Sequence, residues 1–187
     1  EKGGTVLKEK DITDFYNQGI AIVAELDAAF DSYFPSGFKF IKAEETLMEK
    51  VGEFTESDYK FKGYIDLIIQ TPDGKYHVID YKSCSWGWKA EKRTSQIITY
   101  QLTLYKHYWA QKMGVDPSEV ETHFALLKRT QKVGQMVEIF RVTSGPRKTQ
   151  NALNLLKKAL YNIHTKNHLK NRLSCGRCEF KKTQHCP

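Results

Sequence analysis

Residues 61–82 have the sequence FKGYIDLIIQTPDGKYHVIDYK. Two stretches rich in β-branched and aromatic residues, 61–70 and 76–81, flank the turn residues Pro72, Asp73 and Gly74. A short Asp-Gly connection between two such stretches predicts a β-hairpin. We expect this hairpin to form the centre of the fold.

The segments around the hairpin alternate between helix and strand patterns. Helical spacing of apolar residues predicts helices over 13–34, 94–113 and from Pro146 to about Ile163, with Gly114 ending the second and Ser144 capping the third. Alternation predicts a further strand that begins over 38–42 and continues over 46–52, and two more over 120–127 and 136–142. Residues 85–92 are expected to form a loop that contains two tryptophans. This order predicts an α/β fold in which helices flank a central mixed β-sheet.

The composition bounds the class of protein. The chain has 187 residues, and 29 basic against 22 acidic side chains give a net charge of +7, which makes a polyanionic partner plausible. No apolar run approaches the roughly 18 residues that a membrane span needs, so we do not expect an integral membrane protein. The N-terminus lacks the pattern of a signal peptide, and because no Met begins the chain, the sequence could be a fragment.

The hairpin contains a group of charged residues. Asp66 lies on its first strand, and Asp80 and Lys82 lie on the second. Alternate side chains of a strand share a face, so Asp80 and Lys82 should point together and Tyr81 the other way. Val78 falls on the Asp80 face, which places the polar pair where the buried part of that face ends. Such charges are costly side by side unless a counter-ion or a chemical task keeps them there.

A divalent cation would remove the repulsion between Asp66 and Asp80. Mg²⁺ is a hard ion that binds carboxylate and carbonyl oxygens. A metal held there can coordinate a phosphate oxygen and a water molecule, while Lys82 orients or deprotonates that water or offsets charge on the phosphorus. The alternative is a surface ion pair, which is the commoner role of an Asp-X-Lys sequence on a strand.

Three motifs together resemble a known family. Gly63-X-X-Asp66, Asp80-Tyr81-Lys82 and Gln101-X-X-X-Tyr105 occur in the order and spacing of the RecB-like branch of the PD-(D/E)XK nucleases, which includes the nuclease domains of RecB and AddB and CRISPR-associated RecB-like exonucleases. The resemblance covers about residues 38 to 110 and the cysteine-containing tail. It implies a restriction-endonuclease-like core over residues 1–165, with residues 166–187 as a basic tail packed on it.

The resemblance also implies roles for individual residues. Asp66 and Asp80 would be metal ligands, the backbone carbonyl of Tyr81 could add a ligand, and Lys82 would be the catalytic lysine. The family's early acidic residue corresponds to Glu44 or Glu45, of which we favour Glu45. Gln101 could hold Lys82 or a phosphate, and Tyr105 could hydrogen-bond the DNA backbone. The alternative for Gln101 and Tyr105, four apart on one helix face, is packing between helix and sheet.

The C-terminal tail contains a candidate metal site. Cys175-X-X-Cys178 is followed by His185 and Cys186, and three thiolates with one imidazole can bind zinc tetrahedrally. RecB-like relatives with a [4Fe–4S] cluster have three tail cysteines and a fourth far upstream. Here no cysteine precedes Cys84, which follows Lys82 too closely to be a preferred ligand. A cluster, a zinc site and free thiols in a reducing compartment all stay open.

Several residues near the hairpin are candidates for nucleic-acid binding. Trp86 and Trp88 could stack on unpaired bases, and packing under the loop is their alternative. Lys89 and Arg93 follow in the same segment and, with further basic clusters in the last predicted hairpin, the last helix and the tail, could contact phosphates without reading sequence. For any single basic residue, a solvated surface position is the simpler explanation.

The functional hypothesis is a Mg²⁺- or Mn²⁺-dependent deoxyribonuclease, expected to be an exonuclease, acting in DNA processing, recombination, repair or phage replication. We expect DNA as substrate, with a helicase or recombination protein as a further partner and no membrane. The expected location is the cytoplasm of a bacterial, archaeal or phage-infected cell, or another reducing compartment that contains DNA. Two competing hypotheses are a non-catalytic nucleic-acid-binding module with the nuclease fold, and a scaffold whose tail is a zinc module for protein contacts.

Overall fold

The computed structural model of the protein describes residues 8–52, 54, 57–167, 169 and 172–184. Within these residues the chain forms four α-helices, five β-strands and two short 3-10 helices. The helices are α1 (Glu9–Tyr33), α2 (Ala90–Thr94), α3 (Gln96–Met113) and α4 (Pro146–His164). The strands are β1 (Lys39–Lys50), β2 (Lys60–Gln70), β3 (Tyr76–Cys84), β4 (Val120–Lys128) and β5 (Val137–Val142). The 3-10 helices span Pro117–Glu119 and Arg172–Arg177.

The five described strands form one sheet in the order β1-β2-β3-β4-β5. The β3–β4 pair is parallel, and the other three pairs are antiparallel. Parallel pairing requires a crossover connection, and α3 provides it between the end of β3 and the start of β4. The predicted α/β fold with a mixed sheet and flanking helices is therefore confirmed.

Helices cover both faces of the sheet and create two apolar cores. The core beneath α3 and α4 includes Leu47, Ile65, Ile68, Val78, Leu102, Trp109, Phe124 and Leu153. The core beneath α1 contains Phe30, Phe34, Ile69, Ile79 and Ala125. Neighbouring residues of β3, Val78 and Ile79, belong to different cores, as the alternation of a strand requires. The sheet is thus buried on both sides at its centre, and polar groups there need specific partners.

Several ends of elements differ from the predictions: α1 begins at Glu9 instead of residue 13, and α3 begins at Gln96 instead of residue 94. Gly114 caps α3 in the left-handed conformation, at φ 65°, as predicted. The prediction that Ser144 caps α4 is wrong, because the N-cap is Gly145 and the Ser144 hydroxyl lies 2.9 Å from that of Thr122 in the core. The expected tryptophan loop also ends earlier than predicted, since the short helix α2 begins at Ala90.

Among the described residues, no helix combines the length and the apolar character needed to cross a bilayer.

Candidate active site

The candidate site forms where β2 and β3 separate. Their backbone ladder pairs Gln70 with Tyr76 at one end and Leu67 with Ile79 at the other. Directly beyond that last pair, the Asp66 carboxylate accepts a hydrogen bond from the backbone N–H of Tyr81, with Oδ2 and N 2.7 Å apart. A side chain therefore replaces the backbone acceptor at the point where the ladder ends, and it fixes Asp66 against β3.

The strand β2 changes its face pattern at the same position. Ile65 and Ile68, three residues apart, both lie in the core beneath α3, whereas Leu67 and Ile69 pack on the core beneath α1. A regular strand would place residues three apart on opposite faces. The irregularity between Ile65 and Ile68 redirects Asp66 toward the end of the β3 ladder, and hydrophobic alternation alone could not predict it.

Asp80 is buried on the α3 face of β3. Only 3% of the residue is exposed, and its Oδ2 lies 2.8 Å from the Lys82 ammonium. The angle of that contact is poor for a hydrogen bond, so within the described part of the chain Oδ2 has an ion-pair partner but no well-aligned donor. Burial raises the pKa of Asp80 above its ordinary value, against the Lys82 charge that lowers it, and the Asp66 charge raises it further. The Lys82 ammonium is thus the cation that faces Asp80 Oδ2, and it does not fully offset the cost of burying the carboxylate.

Lys82 is held by a chain of hydrogen bonds from α3. Its Nζ donates to Gln101 Oε1 at 3.0 Å, and Gln101 Nε2 donates to the Tyr105 hydroxyl at 3.0 Å. The family resemblance implied that Gln101 could hold Lys82 or a phosphate, and here Gln101 contacts Lys82. Tyr105 is 7% exposed and packs in the core beneath α3, which was the alternative to a role in DNA binding.

The Tyr105 ring explains why the Gly63-X-X-Asp66 motif begins with glycine. A Cβ built on Gly63 would lie 2.6 Å from Cε1 of the Tyr105 ring, which is closer than real Cβ contacts come. Gly63 therefore lets α3 approach β2 closely enough for Gln101 to reach Lys82. The glycine motif and the Gln-X-X-X-Tyr motif are two sides of one helix–strand contact.

Replacing Gly63 by alanine is expected to destabilise the fold by about 1–3 kcal/mol, because the added methyl group overpacks the contact with the Tyr105 ring. Urea unfolding of the purified proteins measures the change. Gly19→Ala is the matched control: nothing lies within 4 Å of the position that its methyl group would occupy in α1, and alanine there should stabilise by about 0.5–1 kcal/mol. Equal stability of Gly63→Ala and the original protein would contradict the close contact.

Glu45 lies on the same face of the sheet as Asp80. It alternates with Leu47, whose side chain is in the core beneath α3, and it pairs with Ile65 across the β1–β2 ladder. Its Oε1 lies 2.6 Å from Nζ of Lys112, a residue of α3. Glu44, the other candidate, is exposed and has a left-handed backbone with φ 50°. The side chain of Glu45 thus contacts α3 through Lys112. Its partner in the ladder, Ile65, is the residue directly before Asp66.

The two tryptophans occupy different environments. Trp88 is buried against Phe124, at a ring distance of 5.1 Å, whereas Trp86 is 70% exposed. Backbone hydrogen bonds from Arg129 to Cys84 and from Thr130 to Ser85 hold the loop before Trp86 to the β4–β5 hairpin. Trp86 is therefore presented to solvent on a segment that the sheet supports, next to the end of β3.

The two basic residues of this segment, Lys89 and Arg93, also differ in their surroundings. Arg93 donates to the Trp88 carbonyl at 2.9 Å and forms an ion pair with Glu138 at 2.5 Å. Lys128 lies 3.3 Å from the same glutamate, and the pKa of Glu138 is lowered: its partial burial acts to raise it, but Arg93 and Lys128 outweigh that. Lys89 is exposed at the start of α2. Arg93 thus braces the loop in this structure, and Lys89 faces solvent.

The structure describes two residues of the candidate tail site, Cys175 and Cys178. Cys178 N donates to Cys175 O at 3.4 Å, so the two cysteines lie on one turn. His185 and Cys186 lie outside the described residues, and the predicted cluster or zinc site therefore stays a prediction.

Sequence reasoning missed two charged partners in this region. Lys112 pairs with Glu45 across 67 residues of chain, and Glu138 pairs with Arg93 across 45. Neither lies in a motif, and nothing in the local sequence signals a pairing over such a separation.

The carboxylates have the chemistry that a hard divalent cation requires. Asp80 Oδ2 is buried, lacks a well-aligned hydrogen-bond donor and faces the Lys82 ammonium at 2.8 Å, and Asp66 lies close enough to raise the pKa of Asp80. Oxygen ligands of this kind suit Mg²⁺ or Mn²⁺. The residues present therefore fit a metal held by Asp66 and Asp80, and Tyr81 follows Asp80 directly in the sequence.

Comparison with protein families identifies the class. The family model of the PD-(D/E)XK nuclease superfamily matches residues 15–186, which is most of the chain. The protein belongs to the PD-(D/E)XK nuclease superfamily, whose members use divalent metals and act on nucleic acids. The resemblance that the three motifs indicated is confirmed at the level of the superfamily.

Solved structures share the fold at low sequence identity. The protein SSO0001 is 16% identical, with a TM-score of 0.51 over 87% of this chain and 66% of its own. A protein from Eubacterium rectale described as a "Putative exonuclease" is also 16% identical, with a TM-score of 0.55 over 88% of this chain and 58% of its own. This chain thus spans less than two thirds of the length of both structures. No curated protein matches the sequence.

Proposed function

We propose that the protein is a Mg²⁺- or Mn²⁺-dependent deoxyribonuclease of the RecB-like type that degrades DNA from an end. The observation that supports this most directly is the buried Asp80 carboxylate, which lies beside Asp66 and 2.8 Å from the Lys82 ammonium where β2 and β3 separate. Membership of the nuclease superfamily supports the class of reaction. The similarity to a protein described as an exonuclease agrees with digestion from an end.

The reaction adds water across one P–O bond, and the chain supplies the groups that this needs. Asp66 and Asp80 would hold the metal ion, which would supply positive charge for the phosphate and acidify a water molecule. Lys82 is aimed by Gln101, so its ammonium is fixed beside the reacting phosphate without a loss of side-chain freedom during the reaction. The Tyr105 hydroxyl accepts from Gln101, which fixes the orientation of that amide.

The surface around the site suits a nucleic acid. The net charge of +7 favours a polyanion, and the exposed residues Trp86 and Lys89 follow β3 directly. An exposed indole can stack on an unpaired base whatever its identity. We therefore expect single-stranded DNA or frayed duplex ends to be preferred, and a helicase or recombination protein in a reducing, DNA-containing compartment to supply them.

Cleavage of end-labelled DNA tests the function. The purified protein is incubated with single- and double-stranded DNA labelled at either end, and with RNA of the same sequence, in Mg²⁺, Mn²⁺ or EDTA. The proposal predicts metal-dependent release of short products from one DNA end. Internal fragments would indicate an endonuclease. Salt-sensitive DNA binding without any product in either metal would instead identify a non-catalytic module.

The choice between the two early glutamates has its own test. Glu45 is on the face of Asp80, so Glu45→Gln is expected to weaken activation by Mg²⁺ about tenfold, as loss of a supporting charge near a metal does. Glu44→Gln, one residue away and exposed, is the matched control and should leave the Mg²⁺ dependence unchanged. Titration of the cleavage rate with Mg²⁺ measures both. A larger effect of Glu44→Gln would reassign the role.

A further inference from the structure

Two histidines and a glutamate meet on the face of the sheet opposite Asp80 and Lys82. His77 of β3 is 6% exposed, His123 of β4 is 2% exposed, and Glu121 lies two residues before His123. Nδ1 of His77 is 2.9 Å from Nε2 of His123 and 4.0 Å from Oε2 of Glu121. One donor atom from each residue lies within 4.8 Å of the others.

The surroundings of His77 determine which of its nitrogens has a free lone pair. Oγ1 of Thr71 lies 2.5 Å from the Asp73 carboxylate and 2.9 Å from Nε2 of His77. The Thr71 hydroxyl has a single hydrogen, and it donates that hydrogen in the hydrogen bond to the Asp73 carboxylate. Toward His77 the Thr71 oxygen can therefore only accept, so Nε2 of His77 carries a hydrogen and donates it. Burial lowers the pKa of His77, which keeps the ring neutral. Nδ1 then has no hydrogen, and its lone pair points toward His123.

The other ring is held in a comparable way. Nδ1 of His123 is 3.2 Å from the hydroxyl of Tyr33, and burial lowers the pKa of His123 to about 3. A neutral imidazole can place its hydrogen on either nitrogen. Without an ion, Nε2 of His123 carries the hydrogen and donates it to Nδ1 of His77 at 2.9 Å. A bound ion would take the place of that hydrogen at Nε2, and the ring would then carry its hydrogen on Nδ1, where the Tyr33 hydroxyl can accept it. Ligating histidines ordinarily give their second N–H to an outer oxygen in this way.

The two oxygens of Glu121 have separate environments. Oε1 lies 3.4 Å from the Lys75 ammonium and 3.0 Å from the Arg141 guanidinium, both of which are substantially exposed. Oε2 faces Nδ1 of His77. The cations thus fix the carboxylate through one oxygen and leave the other directed at the two imidazoles.

We propose that His77 Nδ1, His123 Nε2 and Glu121 Oε2 bind a divalent transition-metal ion of the zinc type. Two imidazole nitrogens on a tetrahedral zinc ion are about 3.3 Å apart, so the rings need to separate by only about 0.4 Å. A cleft of about 320 Å³, lined in part by Tyr33, Pro72, His77 and Glu121, gives access for the ion and for a water as fourth ligand. Soft or borderline metals prefer imidazole, which distinguishes this site from the all-oxygen Asp66–Asp80 site.

The two sites are spatially distinct. His77 and Asp80 are three residues apart on β3, which is about 10 Å along the strand, and they point to opposite faces. A zinc ion would cross-link β3 and β4 through its ligands, and the His123 ring is in turn hydrogen-bonded to Tyr33 of α1. The ion would therefore stabilise the sheet rather than take part in cleavage. Its presence or absence can be established independently of nuclease activity.

Zinc and cobalt binding to the full-length chain tests the site. A background with Cys175→Ser, Cys178→Ser and Cys186→Ser removes the tail thiols, and excess Mg²⁺ competes for oxygen-only sites. Calorimetric titration with Zn²⁺ is expected to show one site, which Glu121→Gln weakens by about 100-fold. His164→Gln, which replaces an exposed histidine of α4, is the matched control and should bind as the background does.

Two results would overturn the assignment. One is unchanged Zn²⁺ affinity in a folded Glu121→Gln protein, with folding verified by circular dichroism. The other needs no change to the three ligands: Co²⁺ bound to the background protein should give the visible spectrum of a tetrahedral nitrogen–oxygen site, without a thiolate charge-transfer band. If that spectrum is missing, the site does not exist, even where Glu121→Gln fails to fold.

Discussion

Replacing Asp80 by asparagine is expected to lower metal-dependent DNA cleavage by about 10³-fold or more, while the metal-free protein becomes more stable at neutral pH. The loss of activity follows from removing a buried ligand of the metal that stabilises the transition state. The gain in stability has a separate cause. Burial and Asp66 raise the pKa of Asp80 in spite of Lys82, so the charged carboxylate is disfavoured by folding.

The pH dependence of that gain has a definite sign. A group whose folded-state pKa is above its unfolded value stabilises the fold below the unfolded pKa, and that contribution is lost as the pH rises through the folded pKa. Asparagine does not ionise, so Asp80→Asn does not lose stability in this way as the pH rises. The variant should therefore melt at a higher temperature than the original protein at pH 7 in EDTA, and the difference should shrink toward about pH 4, near the ordinary pKa of aspartate.

Calorimetry and cleavage assays together check the Asp80 prediction. Mg²⁺ should raise the melting temperature of the original protein and leave that of Asp80→Asn almost unchanged, since a bound ion stabilises only the state that binds it. Asp58→Asn is the matched control, because Asp58 is exposed and pairs with the exposed Lys50 at 3.2 Å. Cleavage by Asp80→Asn at the rate of the original protein would contradict the proposed function.

Replacing Lys82 by methionine is expected to reduce the cleavage rate by about 10²–10³-fold without weakening Mg²⁺ binding. Methionine keeps much of the side-chain volume but removes the ammonium that Gln101 holds and that lies beside Asp80. Because that ammonium competes with a cation for Asp80, its loss should leave the metal affinity equal or higher. This separation of chemistry from metal binding is what distinguishes Lys82 from the carboxylates.

Single-turnover cleavage at saturating Mg²⁺, together with a Mg²⁺ titration, measures the two effects of Lys82→Met. Lys62→Met is the control, since Lys62 is an exposed lysine of the neighbouring strand whose ammonium lies 5.4 Å from the ring of Tyr64. A joint loss of activity and Mg²⁺ binding would show that Lys82 organises the metal ligands. Full activity would exclude a catalytic role.

The hairpin and its motifs were predictable because their signals are local. The turn at Pro72–Gly74 and the alternation of β3 place Asp80 and Lys82 on one face and Tyr81 on the other. The contact of Gln101 with Lys82 was anticipated through the family resemblance. The physical reason for Gly63 became apparent only when the Tyr105 ring was located against it.

Other features depend on contacts over a long sequence distance. The break in alternation after Ile65 coincides with the point where β2 leaves β3, and no property of residues 65–68 alone reveals it. The His77–His123 pair joins residues 46 apart through the parallel β3–β4 register. Ser144 was a reasonable cap by residue type, but its hydroxyl lies against Thr122 in the core.

The helix α3 sets limits on how the length of the chain can vary. It contacts Lys82 through Gln101, Gly63 through Tyr105 and Glu45 through Lys112, so one rigid element aligns three strands. An inserted residue turns the rest of a helix by about 100°. With a single residue inserted between Gln101 and Tyr105, α3 could not keep the Gln101–Lys82 contact together with the contacts of Tyr105 and Lys112. Extra residues in the turn at 71–75 would leave all three contacts unchanged. Relatives of this chain should accordingly differ in length at their turns and keep the helix spacing constant.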